Sequence, residues 1–307
     1  VTFGAEFLAS RQVLPEEHVG EAWGEGQFGI AFPAGPYLVR GLTPGQEARI
    51  ARHFADVQAE AGAQGQAVVE VTLRRAEPGA FREVRLLEYR FDLESDERAV
   101  RVAGLGFMAL LEPGERRRVS IWIPEAEPAD LETIVSNLVR VAVAYRLLAR
   151  GGAMIHSACV AKAGRAHLLL GHSGAGKSTI SALAAAEGIT VLSDDVNVVE
   201  RRADGFVVSR MPFAGDFGRT RVEGPPRVPL AALYRLEKGP AVRVRPLGQV
   251  ETAGLLVSCA PFVNADPACG EQLLSTAIAL AATVPCRALA FPKEGPVGPA
   301  FEEEVRR

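Results

Sequence analysis

Residues 171 to 178 read Gly-His-Ser-Gly-Ala-Gly-Lys-Ser and match the pattern G-x-x-x-x-G-K-[ST] at every fixed position. The apolar run Ala166-His167-Leu168-Leu169-Leu170 precedes the octet, and a helix-compatible stretch, Lys177 to Ala186, follows it. That order of strand, loop and helix is the context in which the pattern cradles phosphate. Phosphate oxygens are met there by converging backbone N–H groups, and a side chain at Gly171, Gly174 or Gly176 would block the tight turn or the close approach. The unpaired N–H groups and positive dipole end of the following helix favour the same anion.

The nucleotide-binding residues expected from the octet are Gly171, His172, Ser173, Gly174, Ala175, Gly176, Lys177, Ser178 and, on the first helical turn, Thr179. Lys177 is expected against the outer phosphates and the Ser178 hydroxyl on Mg²⁺. At average residue usage the pattern arises at roughly three positions in a hundred thousand. Of 34 basic residues only Lys162, Lys177, Lys238 and Lys293 are lysine, which makes an accidental lysine at 177 rarer still.

The length of 307 residues suggests about two domains. With 48% hydrophobic residues, 23% charged and a net charge of −3, the chain has material for buried cores and no basic field for nucleic acid. Arg116-Arg117-Arg118, the densest basic run, reads as a solvated strand end. No apolar stretch reaches membrane-spanning length and no signal-like segment opens the chain, so the expected location is cytoplasmic. Cys159, Cys259, Cys269 and Cys286 are scattered without a C-x-x-C pair and read as buried free thiols.

Residues 1–128 are expected to form an N-terminal α+β domain that docks a substrate or partner. Thr43-Pro44-Gly45-Gln46 supplies a capping box, with Ile50, Phe54 and Val57 at helical spacing until Gly62. Strand-like runs follow at 67–74, 82–91, 98–111 and 117–123, and together they suggest an antiparallel meander with the helix packed on it. A bridging helix is expected over 129–150, with Leu131, Ile134, Val135, Leu138, Ala142, Tyr145 and Leu148 on one face and Gly151-Gly152 as its stop. From 151 to 307 the expectation is an α/β P-loop domain. Its strands lie at 154–161, 165–170, 189–193, 231–237, 241–246 and 287–291, with helices near 249–257 and 271–282, a Gly/Pro-rich connector over 211–229 and a loose tail from Gly295.

Asp194-Asp195 ends the strand after the loop helix, where one carboxylate can take a proton from an attacking hydroxyl and the other can help hold Mg²⁺. His156 lies on the strand before the loop strand, within reach of the same pocket or simply structural. Met154-Ile155-His156, Gly171 to Ser178 and Val191-Leu192-Ser193-Asp194-Asp195 resemble, in order and interval, segments of the HPr kinase/phosphorylase family. The resemblance is firm over about His156 to Val199. It is nearest to divergent HPr-kinase-like proteins, some of them associated with modified-peptide gene clusters, which carry a Pro-Phe-x-Gly-[acidic] segment like Pro212-Phe213-Ala214-Gly215-Asp216.

The resemblance implies a kinase domain of the HPr kinase/phosphoenolpyruvate carboxykinase-like type. It implies Asp194 as catalytic base, Lys177 and His156 near the phosphates, and Ser178 on the metal; beside it, the aspartate pair itself makes Asp195 a metal-side carboxylate, and Asp216 is the candidate to replace the family's metal-binding glutamate. Arg219 or Arg221 would neutralise transferred charge. Two departures stand out: the family's glutamate-containing signature is missing, and the first half differs from the N-terminal domain of the bifunctional enzymes. The expected function is ATP- and Mg²⁺-dependent transfer of phosphate to a serine-type hydroxyl of a protein or peptide, with a homo-oligomer compatible with the resemblance. A small-molecule kinase and a nucleotide-dependent binding module without transfer activity remain alternatives.

Overall fold

The computed structural model describes residues 20–59, 69–76, 91–96, 99–104, 107–112, 118–125, 130–209 and 227–302. The architecture is mixed α and β, with two sheets and, among the described residues, five α-helices. Two compact units are present: Val1–Arg146 with Ala265–Ala268, and Leu147–Asn264 with Cys269–Arg307.

The first unit contains β1 (Gly26–Ile30), β2 (Tyr37–Leu42), α1 (Pro44–His53), β3 (Val69–Arg75), β4 (Phe91–Ser95), β5 (Val100–Gly104), β6 (Phe107–Leu111), β7 (Arg118–Ile123) and α2 (Leu131–Ala149). The sheet order is β1-β2-β3-β7-β6-β5-β4. This corrects the expected meander. α1 carries the chain across between β2 and β3, which therefore pair in parallel, and β3 also pairs in parallel with β7. The run 98–111 is two strands rather than one, paired antiparallel as β5 and β6. Most of the expected strand 82–91 lies outside the described residues, β4 beginning at its last member, Phe91.

α1 begins as its capping box dictates, the Gln46 N–H donating to Thr43 Oγ1 at 3.3 Å and the Thr43 N–H to Gln46 Oε1 at 2.9 Å. It ends at His53, short of Gly62, and passes into a 3₁₀ turn at Ala55–Val57. The apolar face expected of α2 is buried throughout, but so are Val139, Val141, Val143, Ala144 and Leu147, so the helix is covered nearly all round. Through Arg146 it belongs to the first unit and thereafter to the second. Asp266, far along the chain, returns to the first unit, where it accepts a buried hydrogen bond from the Tyr145 hydroxyl at 2.9 Å.

The second unit contains β8 (Ala153–Lys162), β9 (Arg165–Leu170), α3 (Lys177–Ala186), β10 (Thr190–Ser193), β11 (Val196–Arg202), β12 (Gly205–Ser209), β13 (Arg227–Lys238), β14 (Arg243–Pro246), α4 (Gln249–Ser258), α5 (Gly270–Thr283) and β15 (Cys286–Phe291). Ala163 and Gly164, both at positive φ, make the two-residue turn between β8 and β9. β9 lies between β8, antiparallel, and β13, parallel, and β15 is parallel to β13. The C-terminal ends of β9, β13 and β15 thus share one edge of the sheet. The hairpin β11–β12 has no counterpart in the expected strands, although Val196, Val198 and Val199 before Asp204-Gly205, and Phe206, Val207 and Val208 after it, carry a strand signal.

The segment from Gly295 corrects the expectation of a loose tail. Val297, Ala300 and Phe301 are buried in a core cluster with Leu169, Ile180 and Tyr234. The Glu187 carboxylate accepts from the N–H of Val297 and of Gly298, and Lys162 Nζ donates to the Gly298 carbonyl at 3.1 Å. All four cysteines are free thiols, three of them buried and Cys286 half-buried.

His167, buried on β9, packs against the rings of Tyr234 and Phe301, with centroids 5.9 and 5.3 Å away. Its Nδ1 is buried and has no hydrogen-bond partner among the described residues. Burial lowers its pKa to about 4, with Arg165, Arg287 and Lys162 acting in the same sense. Because the fold prefers the neutral ring, stability is full above the unfolded value near 6.5 and falls as pH drops from there toward 4, by roughly 3 kcal/mol in all. Urea unfolding is expected to give a stability about 2 kcal/mol lower at pH 5 than at pH 7. His167→Phe, which keeps a ring but binds no proton, should flatten that difference; an unchanged pH slope would contradict this role of His167.

Candidate active site

Strand register explains where the site forms. Leu170, the last residue of β9, pairs with Ser157 on β8 and with Arg235 on β13. His156, the next residue toward the start of β8, pairs with Val196 on β11. β10 and β11 both pair along the same side of β8, one after the other, and Asp194-Asp195 is the step between them. The Ser157 N–H donates to the Asp195 carbonyl at 3.0 Å and pins that step. The glycine-rich loop, His156 and the two aspartates therefore lie at one level of the sheet.

The loop turns back on itself: the Ala175 N–H donates to the His172 carbonyl at 3.1 Å, and a Cβ at Gly171 would come within 2.5 Å of the Ala175 Cβ. Gly176 caps α3 at φ +100°, and a Cβ there would come within 2.8 Å of the Phe291 ring. Glycine is required at 176 on both counts. With no side-chain cap on α3, the N–H groups of its first turn have no intrahelical acceptor, and Ser178 and Thr179 are exposed beside them.

Lys177 is buried, its Nζ donating to the carbonyls of Gly171 at 2.9 Å and His172 at 3.3 Å. Burial draws its ammonium below the usual lysine range, and Cys259 and Asp195 nearby act in the opposite sense. His156 Nδ1 stands 3.3 Å from Asp195 Oδ1, both side chains partly exposed. The structure thus brings Lys177, Asp195 and His156 together, while Asp194 is buried at the adjoining position.

Two contributors escaped the sequence reading. Asn197 is buried and donates to the Ser157 carbonyl at 2.6 Å and to its Oγ at 3.0 Å, fixing β11 against β8. Its signal was a buried amide two residues after the aspartates. Cys259, at the end of α4, accepts the His156 N–H at its carbonyl at 2.7 Å. Burial raises its thiol pKa, opposed by hydrogen bonds from Ser258 and the Gly171 backbone and by the charge of Lys177. No sequence pattern linked it to the loop.

The Ser178 hydroxyl and Asp195 carboxylate are hard oxygen donors of the kind Mg²⁺ accepts while keeping water and substrate phosphates as its other ligands. Among the described residues no three His, Cys, Asp or Glu side chains cluster as a metal site. Asp216, Arg219 and Arg221, together with the 212–216 segment, lie outside the described residues.

The family profile described as SynChlorMet cassette protein ScmC matches residues 122–305. The chain belongs to the ScmC family. The ScmC match includes the loop, His156, Asp194, Asp195, Asn197 and Cys259, and it runs on through the buried segment that ends in Phe301. The family description names a cassette and no reaction. No curated protein matches the chain. Among the described residues of this ScmC-family chain, no helix is long and apolar enough to cross a membrane.

Proposed function

We propose that this chain is an ATP-dependent phosphotransferase with a P-loop domain of the HPr-kinase type, which transfers the γ-phosphate to a serine-type hydroxyl of a protein or peptide. The observation that carries the reading is the common level of the glycine-rich loop, Lys177, the His156–Asp195 pair and Asp194. In this reading the Gly171 to Gly176 backbone and Lys177 hold the β and γ phosphates, Lys177 exchanging its carbonyl partners for phosphate oxygens. Asp194 accepts the proton of the acceptor hydroxyl as its oxygen bonds to the γ-phosphorus, and the bond to the β–γ bridging oxygen breaks to release ADP. Ser178 and Asp195 would hold Mg²⁺, which when bound neutralises charge across the β and γ oxygens. His156 steadies Asp195. The first unit docks the acceptor, and the reaction takes place in the cytoplasm.

The direct test supplies γ-labelled ATP and a lysate fraction and maps the modified residue. Label on a protein serine supports the reading. Label only on low-mass metabolites would make the chain a small-molecule kinase, and nucleotide binding without transfer to any acceptor would make it a nucleotide-dependent binding module. Lys177→Ala is expected to weaken MgATP binding by at least about ten-fold, seen by calorimetric titration. Unchanged affinity in this variant would sink the proposed cradle.

A further inference from the structure

Beside the loop lies a pocket of about 530 Å³, bounded by Gly171 to Ala175, by Arg235 and Leu236 on β13, and by α4. The α4 residues are Glu251, Gly254, Leu255 and Ser258, whose spacing is that of one helix face. The volume falls within the roughly 300–1,000 Å³ of small-ligand sites.

Gly254 is the informative member. It sits inside α4, where glycine costs about 1 kcal/mol relative to alanine. Among the described residues nothing requires it: its φ is not in the left-handed region, and an added Cβ would meet none of their atoms within 4 Å. The helix therefore presents bare backbone to open space at the pocket wall. Flanked by Leu255 and Leu236, that surface suits a flat ring lying against it.

The polar groups stand at the ends of the helix face. Arg235 bonds Glu251 and Glu237, and Glu237 also accepts from Arg245 at 2.7 Å, so the Glu251 carboxylate is held in place. At the other end the Ser258 hydroxyl shares its proton between the Leu255 carbonyl at 2.8 Å and the Cys259 Sγ at 4.0 Å, and its lone pairs can accept from a donor.

We propose that this pocket takes the base and ribose of the nucleotide whose phosphates lie in the loop, an inference that rests on the nucleotide reading above. The base packs on the Gly254 backbone between Leu236 and Leu255, and Glu251 accepts from a ribose hydroxyl. A protein acceptor needs room for one hydroxyl-bearing side chain; a pocket of this volume, continuous with five loop residues, fits a nucleoside better.

Calorimetry on the full chain with two probes, MgATP and magnesium tripolyphosphate, tests the assignment. Gly254→Leu projects a side chain into the pocket and strengthens the helix, so folding is retained. It is expected to lower MgATP affinity by at least about ten-fold and to leave tripolyphosphate affinity within about two-fold. Glu251→Gln should lower MgATP affinity alone, by several-fold. Unchanged MgATP affinity in Gly254→Leu overturns the nucleoside assignment, and if phosphate transfer is lost in that same variant the pocket belongs to the acceptor. Equal losses for both probes also overturn it. A wild-type chain that binds neither probe fails the nucleotide reading itself.

Discussion

Asp194→Asn is expected to reduce phosphate transfer by on the order of 10²- to 10⁴-fold while MgATP affinity stays near wild type. Asparagine preserves shape and hydrogen-bonding reach but cannot accept the proton that leaves the attacking hydroxyl, so the loss falls on the chemical step. Asp195 supplies the contrast, since its carboxylate faces His156 and acts on Lys177. Asp195→Asn should raise the Mg²⁺ concentration needed for half-maximal transfer, a dependence that Asp194→Asn should not shift. Single-turnover transfer assays across a Mg²⁺ series separate the two. Wild-type transfer in Asp194→Asn would remove the proposed base, and a reversed pattern would exchange the roles of the two aspartates.

Phe301→Ala is expected to destabilise the fold by about 3–5 kcal/mol, the range for truncating a buried phenylalanine. Phe301 is 1% exposed and stands edge-on to Tyr234 with centroids 5.8 Å apart. The Tyr234 hydroxyl donates to the Ala300 carbonyl at 3.1 Å, so the truncation also loosens the segment that holds this bond. Denaturant unfolding provides the measurement. A midpoint close to wild type would mean that the segment contributes little to the core, despite its burial.

The β8–β9 hairpin next to the loop and α1 in the first unit were legible because local chemistry and long-range packing agree in each. The β8–β9 hairpin announces itself by two apolar runs and an Ala-Gly turn, and α1 by its capping box. The C-terminal segment was illegible for the opposite reason: Pro, Gly and scattered apolar residues give no periodicity, and its order comes from Glu187, Lys162 and Tyr234, all distant in sequence. The parallel pairing of β2, β3 and β7 was hidden likewise, since strand direction is a property of connections and not of composition. At the candidate site the octet located its own turn, but only register could bring Asp195 to His156, and only the docking of α4 could bring Cys259 to the loop.

The two bonds from Lys177 to the carbonyls of Gly171 and His172 make the loop self-occupied. In the proposed reading, a phosphate that enters competes with these internal partners, so its apparent affinity would be a difference between two satisfied states. The loss measured on removing the lysine will accordingly understate the strength of the lysine–phosphate contact. The same competition discriminates by charge: a singly charged anion offers the ammonium little advantage over two carbonyls, whereas a polyphosphate offers much more. Under the proposed function, a loop built this way would favour polyphosphates over the small anions that surround it.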